Sequence, residues 1–297
     1  MENSTAKGLG SNEIYRDIYY QLNQAGTYLE DKVHSLLHQR SDTFAQREFP
    51  YSVVNTTNRL VNTVLEGIVD IYAIARTFND GPLVCMSIEC KKVNPAQKRW
   101  VFERRKTGDE EYPFLIWDVD PKVAGINYGV RAIFPSLGYG HTDQYEKAIQ
   151  GFPTNYKGGL DQDHGDRRIY DALKQANQPL SAFAGDPRTY VFNQLMVNAH
   201  TCIFLPIVVT TAPLLLLDYH SEDVDIHTGE VPGGKTKLVE RPWLHYEFPL
   251  PISFQFDSSR GVAPRKRPSF IVNANSFTNF VDMVIADVPR YILPLIG

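Results

Sequence analysis

The sequence predicts an α/β fold in which helices flank a mixed central sheet. Three observations predict it: a helical pattern at 12–38, three successive strand patterns at 44–93, and mixed helix and strand patterns from residue 188 onward. Apolar residues recur every three or four positions in a helix, whereas side chains alternate between faces in a strand. We expect a single domain over 1–297, with its core at about 12–94 and 188–297 and an insertion at about 95–187.

The composition and charge exclude several classes of protein. Apolar residues make up 43% and charged residues 22% of the 297 positions, which is typical of a globular protein. Thirty basic residues against 34 acidic ones give a net charge of −4, which excludes a binder that relies on bulk positive charge. Three cysteines are too few for a disulfide framework, so we expect a reduced, cytoplasmic protein.

The individual elements follow from the spacing of apolar residues. The first helix has apolar residues from Ile14 to Leu37 on one face, and Ser41 and Asp42 end it. The apolar run at 202–217 contains Pro206 and Pro213, so it predicts buried strand and no membrane span. The remaining expectations are strands at 44–54, 62–77 and 82–93, a turn at 79–81, a helix at 188–199, strands at 207–211, 214–219, 244–256 and 270–273, a loop at 220–241 and a helix at 277–293.

Two neighbouring predicted strands carry a cluster of charged residues. Asp70 lies in the second strand, and Glu89 and Lys91 lie on one face of the third because side chains alternate. Pairing through the turn at 79–81 would bring Asp70 towards Glu89. Two carboxylates held together repel, and a hard cation such as Mg²⁺, which prefers oxygen ligands, relieves the repulsion. The pattern therefore predicts a metal-dependent hydrolytic site.

The spacing of these residues resembles the PD-(D/E)XK nuclease superfamily in its RecB-like form. The resemblance rests on Gly-x-x-Asp at 67–70 and on Glu-x-Lys at 89–91. It implies a restriction-endonuclease-like αβββαβ core, with extra C-terminal strands and a helix after it. The first helix of that family often carries a Glu and the second a Gln, which here are Glu30 and Gln194.

The resemblance also implies a reaction. It is hydrolysis of phosphodiester bonds that depends on Mg²⁺, with Mn²⁺ as the alternative ion. Asp70, Glu89 and the backbone carbonyl of Cys90 would hold the metal. Lys91 would act as the catalytic base or as an electrostatic clamp, together with Glu30 and Gln194 as further catalytic residues.

The expected substrate is DNA in preference to RNA. Basic clusters that would follow a phosphate backbone occur at 98–99, 104–106 and 265–267, and Trp100 and Phe102 beside the first cluster would stack on bases. The alternative is a non-cleaving module that keeps the fold and binds nucleic acid through these clusters. The sequence leaves open a protein partner or a homo-oligomer.

Two further patterns favour structural interpretations. Residues 229–236, GEVPGGKT, match a P-loop, but the polar segment before them and Pro242 after them favour a turn between strands over a nucleotide site. His34 and His38 lie one helical turn apart, a spacing that can chelate zinc. Because the sequence suggests no third ligand, we expect these histidines to lie on a solvated helix end.

Overall fold

The computed structural model of the protein describes twelve segments of the chain. They are residues 26–54, 64–77, 82–93, 98–106, 115–118, 125–127, 146–155, 167–185, 190–191, 193–195, 201–249 and 266–291. The predicted turn at 79–81, residues 12–25 of the first predicted helix and the second half of the strand predicted at 244–256 lie outside them. None of the helices in these segments is long and apolar enough to cross a membrane.

Helices and strands alternate irregularly along the described chain. The helices are α1 (Thr27–His38), α2 (Arg167–Gly185), α3 (Asn193–Leu195) and α4 (Phe277–Tyr291). The strands are β1 (Thr43–Val54), β2 (Val64–Arg76), β3 (Leu83–Lys91), β4 (Lys98–Lys106), β5 (Leu115–Asp118), β6 (Gly125–Asn127), β7 (Glu146–Asn155), β8 (Thr201–Thr210), β9 (Leu214–Asp218), β10 (Lys237–Arg241), β11 (Trp243–Pro249) and β12 (Lys266–Asn273). Short 3₁₀ helices occur at Ser221–Asp223 and Ala274–Ser276.

The described strands form one mixed sheet. Its order is β1-β2-β3-β8-β12-β11-β7-β4-β9-β10, while β5 and β6 pair with each other and β5 also pairs with β8. The first three strands are antiparallel neighbours, and β3, β8 and β12 run parallel. The predicted α/β class with a mixed central sheet is therefore confirmed.

The helices cover both faces of the sheet. One face packs against α1 and α4 through a core that contains Val33, Ile88 and Phe280; we call it the α1 face. The opposite face, the α2 face, packs against α2 through residues such as Leu173 and Phe183. All residues of β3 from Leu83 to Cys90 are buried, as expected for a strand covered on both sides.

The residues of the predicted second helix at 188–199 that the structure describes are helical: 190–191 form a π-helical turn, and 193–195 form α3. A longer helix nearby was not predicted. The long helix is α2, which lies within the predicted insertion and precedes the described Val191 and the three-residue α3. Its buried residues follow the helical spacing of three and four: Ile169, Ala172, Leu173, Ala176, Leu180 and Phe183. Pro179 lies inside it. Proline removes a backbone donor, so the carbonyl of Gln175 has no helical partner four residues later.

Candidate functional site

The candidate site lies where β2 and β3 separate. The two strands pair from Arg76 opposite Leu83 as far as Ile71 opposite Ile88. Beyond that pair, β2 continues along β1, whereas β3 continues along β8 to Lys91. Since the strands are antiparallel, the next two residues to face each other are Asp70 and Glu89, and they stand at the opening between the strands.

The backbone of β2 is irregular at Asp70. Val69 packs on the α2 face and Ile71 on the α1 face, although residues two apart normally share a face of a strand. The paired strand has a matching irregularity at Glu48, whose φ of 47° is in the left-handed region. Asp70 therefore lies at a local twist of the β1–β2 pair.

Asp70 bridges to the neighbouring strand through its side chain. Its Oδ2 accepts a hydrogen bond of 2.8 Å from the backbone N–H of Cys90. In a strand, the N–H and the C=O of one residue point to the same neighbour. The carbonyl of Cys90 consequently faces the same opening as Asp70.

Glu89 is a buried carboxylate in an unfavourable environment. Only 3% of the residue is exposed. Burial, and then the negative charge of Asp70, raise the pKa of Glu89 to about 7, while the ammonium of Lys91 acts in the opposite direction. Lys91 Nζ forms an ion pair with Glu89 Oε1, and about a third of the Lys91 side chain is exposed. Glu89 thus has one cationic partner and one anionic neighbour.

Glu30 approaches Asp70 from α1. Burial, and then the charge of Asp70, raise the pKa of Glu30. Its Oε2 lies 3.3 Å from Arg47 Nη2 on β1, and Arg47 also pairs with Asp31. The structure therefore brings Glu30 near Asp70, as the sequence predicts. Arg47 is a contributor that the sequence analysis missed, because only the β1–α1 contact shows its proximity.

Tyr51 lines the site and is a second residue that the sequence analysis missed. It lies opposite Gly67 in the β1–β2 ladder. A Cβ at residue 67 would be 2.7 Å from Tyr51 Oη and 3.0 Å from Tyr51 Cζ, so the ring occupies the space above the glycine. Burial, and then Glu89, raise the pKa of Tyr51 to about 12. The Tyr51 ring therefore explains why the first position of the Gly-x-x-Asp pattern is a glycine: the ring leaves no room for a side chain at residue 67.

Gln194 has no described contact with this cluster. It is exposed on the three-residue α3. Among the described residues, no hydrogen bond joins it to Asp70, Glu89 or Lys91. Two glutamines of α2, Gln175 and Gln178, instead line a cleft that also contains Lys91.

The structure revises the expected nucleic-acid contacts. Trp100 and Phe102 are 1% and 0% exposed and pack in the core of the α2 face, so the prediction that they stack on bases is wrong. Arg267 is 2% exposed, and its Nη1 donates to the carbonyl of Asn177, so it is a buried structural residue. The side chains at 104–106 and 265–266 lie outside the described part of the chain.

The P-loop-like segment is a turn, as predicted. It is exposed, and strand β10 begins directly after Thr236, where a phosphate-binding loop would need a helix. Lys235 Nζ forms an ion pair of 2.9 Å with Asp223. Gly229 and Gly234 have φ values of 71° and 89°, which suits glycine in a turn.

The two histidines of α1 contact each other and the neighbouring strand β1. The rings of His34 and His38 stack with their centres 5.7 Å apart, and His34 Nε2 lies 3.3 Å from the carbonyl oxygen of Ala45. Within the described segments, no group of three or more His, Cys, Asp or Glu side chains could hold a metal ion. The site at the β2–β3 opening consists of two facing carboxylates and a backbone carbonyl, which is a different ligand set.

Comparison of the chain with models of protein families, with curated protein sequences and with solved structures found no match. The functional interpretation therefore depends on the geometry of the β2–β3 opening and on the chemistry of the residues around it.

Proposed function

We propose that the protein is a Mg²⁺-dependent nuclease of the PD-(D/E)XK type that hydrolyses phosphodiester bonds of DNA. One observation carries the proposal: Asp70, Glu89 and Lys91 meet where β2 and β3 separate. Structural strands rarely bury a carboxylate next to a second one, because burial of charge is costly and the two like charges repel. Perturbed carboxylates of this kind are frequent at functional sites.

The order and direction of the elements support the same proposal. A helix (α1) precedes three antiparallel strands (β1–β3), and a helix (α2) precedes a strand (β8) that runs parallel to β3. Strands β4–β7 lie between β3 and α2, and α3 lies between α2 and β8. With those elements set aside, the order agrees with the αβββαβ core that the sequence resemblance implies. Helix α2 also precedes β8 and lines the cleft that contains Lys91, so Gln175 and Gln178 join Gln194 as candidates for the helix glutamine.

The ligand set at the opening fits a hard divalent cation. Asp70 and Glu89 supply two carboxylates, and Cys90 supplies a carbonyl that faces the same side as the N–H bound by Asp70. Burial, and then repulsion from Asp70, raise the pKa of Glu89, and a cation between the carboxylates would offset both effects. Bound Mg²⁺ supplies positive charge to a phosphoryl oxygen and makes a water molecule more acidic.

The other residues have distinct roles in this proposal. Lys91, partly exposed beside Glu89, can donate to a phosphoryl oxygen as negative charge builds up in the transition state. Glu30 adds negative charge near Asp70, and Arg47 holds the Glu30 carboxylate in place. Tyr51 shields the buried side of Glu89, which strengthens the electrostatic interactions there.

A cleavage assay tests the proposal and separates it from a module that only binds nucleic acid. Closed circular plasmid and single-stranded DNA are incubated with the protein in Mg²⁺ or in EDTA. We expect cleavage only with Mg²⁺, no cleavage by Asp70→Ala, and a rate for Lys91→Ala that is lower by about 10² or more at saturating DNA.

The matched control is Glu66→Gln. Glu66 is an exposed carboxylate on the same strand as Asp70, so its loss should leave cleavage intact. Full activity in Asp70→Ala would exclude the proposed site. DNA binding without cleavage by the unaltered protein would favour the binding module.

A further inference from the structure

A cleft opens beside Lys91 on the α2 face of the sheet. Its volume is about 700 Å³. The described residues that line it come from the end of β3 and the segment after it, from β4 and from one face of α2: Lys91, Lys92, Val93, Trp100, Arg168, Asp171, Lys174, Gln175 and Gln178. The opposite face of α2 is buried against the sheet, so the helix both anchors in the core and presents polar side chains to the cleft.

The charge of the cleft favours an anionic ligand. Among the described lining residues, four are cationic (Lys91, Lys92, Arg168 and Lys174), of which Lys91 is paired with Glu89, and one, Asp171, is acidic. Lys92, Arg168 and Lys174 are exposed, so a ligand from solution can reach their charges. The whole chain has a net charge of −4, so the positive charge at the cleft is a local concentration and does not reflect the overall charge of the protein.

The polar and apolar parts of the lining suit a nucleotide. Gln175 and Gln178 offer amide groups that can both donate and accept hydrogen bonds. Val93 is partly exposed and adds apolar surface. Pockets of 300–1,000 Å³ hold compact organic ligands. One or two nucleotides of a strand fit such a volume, whereas it cannot enclose a double helix.

Lys91 links the cleft to the carboxylates. It lines the cleft and also pairs with Glu89, which faces Asp70 across the strand opening. A strand whose phosphate contacts Lys91 would therefore continue along α2 towards Lys174.

We propose that this cleft binds one DNA strand next to the phosphodiester that is cut, with Lys92, Arg168 and Lys174 as its phosphate contacts. The position of the cut relative to the cleft rests on the proposed nuclease function, whereas the binding of the strand does not. Side chains that contact phosphates fix the position of a strand and carry no sequence information. The cleft should therefore bind strands of different sequence with similar affinity.

Binding of a fluorescein-labelled 12-nucleotide oligothymidylate, measured by fluorescence anisotropy in EDTA over a series of NaCl concentrations, tests this proposal. Lys174→Ala and Arg168→Ala should each weaken binding several-fold. Each should also lower the slope of log K against log salt by about 0.7. Lys174→Glu, which reverses the charge, should weaken binding further.

Lys32→Ala is the matched control. Lys32 is an exposed lysine on α1, which packs on the opposite face of the sheet. Lys32→Ala removes the same positive charge as Lys174→Ala does. Unchanged binding by Lys32→Ala would therefore show that the loss of affinity in the cleft variants comes from the cleft and not from the change in overall charge. An oligodeoxyuridylate and an oligouridylate of the same length differ only in the sugar, so comparing them separates DNA binding from RNA binding. Tighter binding of the DNA oligomer is the expected result.

Three results would overturn the proposal: no binding of the oligomer by the unaltered protein, unchanged binding in the cleft variants, or an equal loss in Lys32→Ala. Lys174 and Arg168 are exposed, so their replacement should preserve folding, and thermal unfolding of each variant checks this. Plasmid cleavage is measured separately. Binding that depends on the cleft without any cleavage would reject the nuclease function and leave the strand-binding cleft in place.

Discussion

At the scale of single residues, the protonation of Glu89 links the site to stability. Burial and Asp70 raise its pKa from the ordinary 4.5 to about 7. The folded state therefore binds this proton more tightly than the unfolded state does. The stability that results is present below pH 4.5 and is lost as the pH rises through 7.

This linkage predicts a pH dependence that one substitution removes. In EDTA, the melting temperature of the protein should fall between about pH 5 and pH 7.5 relative to that of Glu89→Gln, in which residue 89 cannot ionise. Thermal unfolding at several pH values measures the difference. If the two proteins show parallel curves, Glu89 does not have a raised pKa and the paired-carboxylate description fails.

At the scale of elements, the β1–β2 pair depends on the contact between Gly67 and Tyr51. A methyl group at residue 67 would be 2.7 Å from Tyr51 Oη, so the ring or the strand would have to move. We expect Gly67→Ala to lower the free energy of unfolding by about 1–3 kcal/mol. Urea denaturation measures this change.

The effect of Gly67→Ala on the free energy of unfolding should change sign when Tyr51 is replaced by alanine. Without the ring, alanine is favoured over glycine in a strand by about 0.5–1 kcal/mol. Gly67→Ala in a Tyr51→Ala background should therefore be neutral or stabilising, and the double-mutant cycle gives the coupling directly. An equal cost in both backgrounds would mean that the glycine serves a purpose unrelated to the ring.

The elements that the sequence predicts well are those with local signals. The strand patterns at 44–54, 62–77 and 82–93 correspond to β1, β2 and β3, because alternation and pairing of neighbouring strands are visible along the chain. The proximity of Asp70 and Glu89 follows from that hairpin. Helix α2 was missed because the residues before it are rich in glycine and charge, although its apolar spacing is helical.

At the scale of the whole molecule, the arrangement of the sheet could not be predicted. The periodicity of a strand reports which faces are buried and does not identify its neighbours. The pairs β3–β8 and β4–β9 join segments that are far apart in sequence. Trp100 shows the consequence: it was expected to contact nucleic acid, and it is buried because β4 lies inside the sheet beside β9.

The helices on the two faces of the sheet place different residues around the opening between β2 and β3. Helix α1 brings Glu30 to one side of β2 and β3, and α2 places the cationic cleft on the other. The separation of β2 from β3 lies between them. In this account the carboxylates hold a metal, and the cleft positions the strand.

A crystal soaked in Mn²⁺ tests the central claim most directly, since Mn²⁺ scatters anomalously and occupies oxygen sites that bind Mg²⁺. The account predicts one anomalous peak between Asp70 and Glu89, within coordination distance of both carboxylates and of the carbonyl of Cys90. Crystals of Asp70→Ala should lack that peak. Ordered carboxylates with no peak between them, or a peak at His34 and His38 alone, would contradict the account.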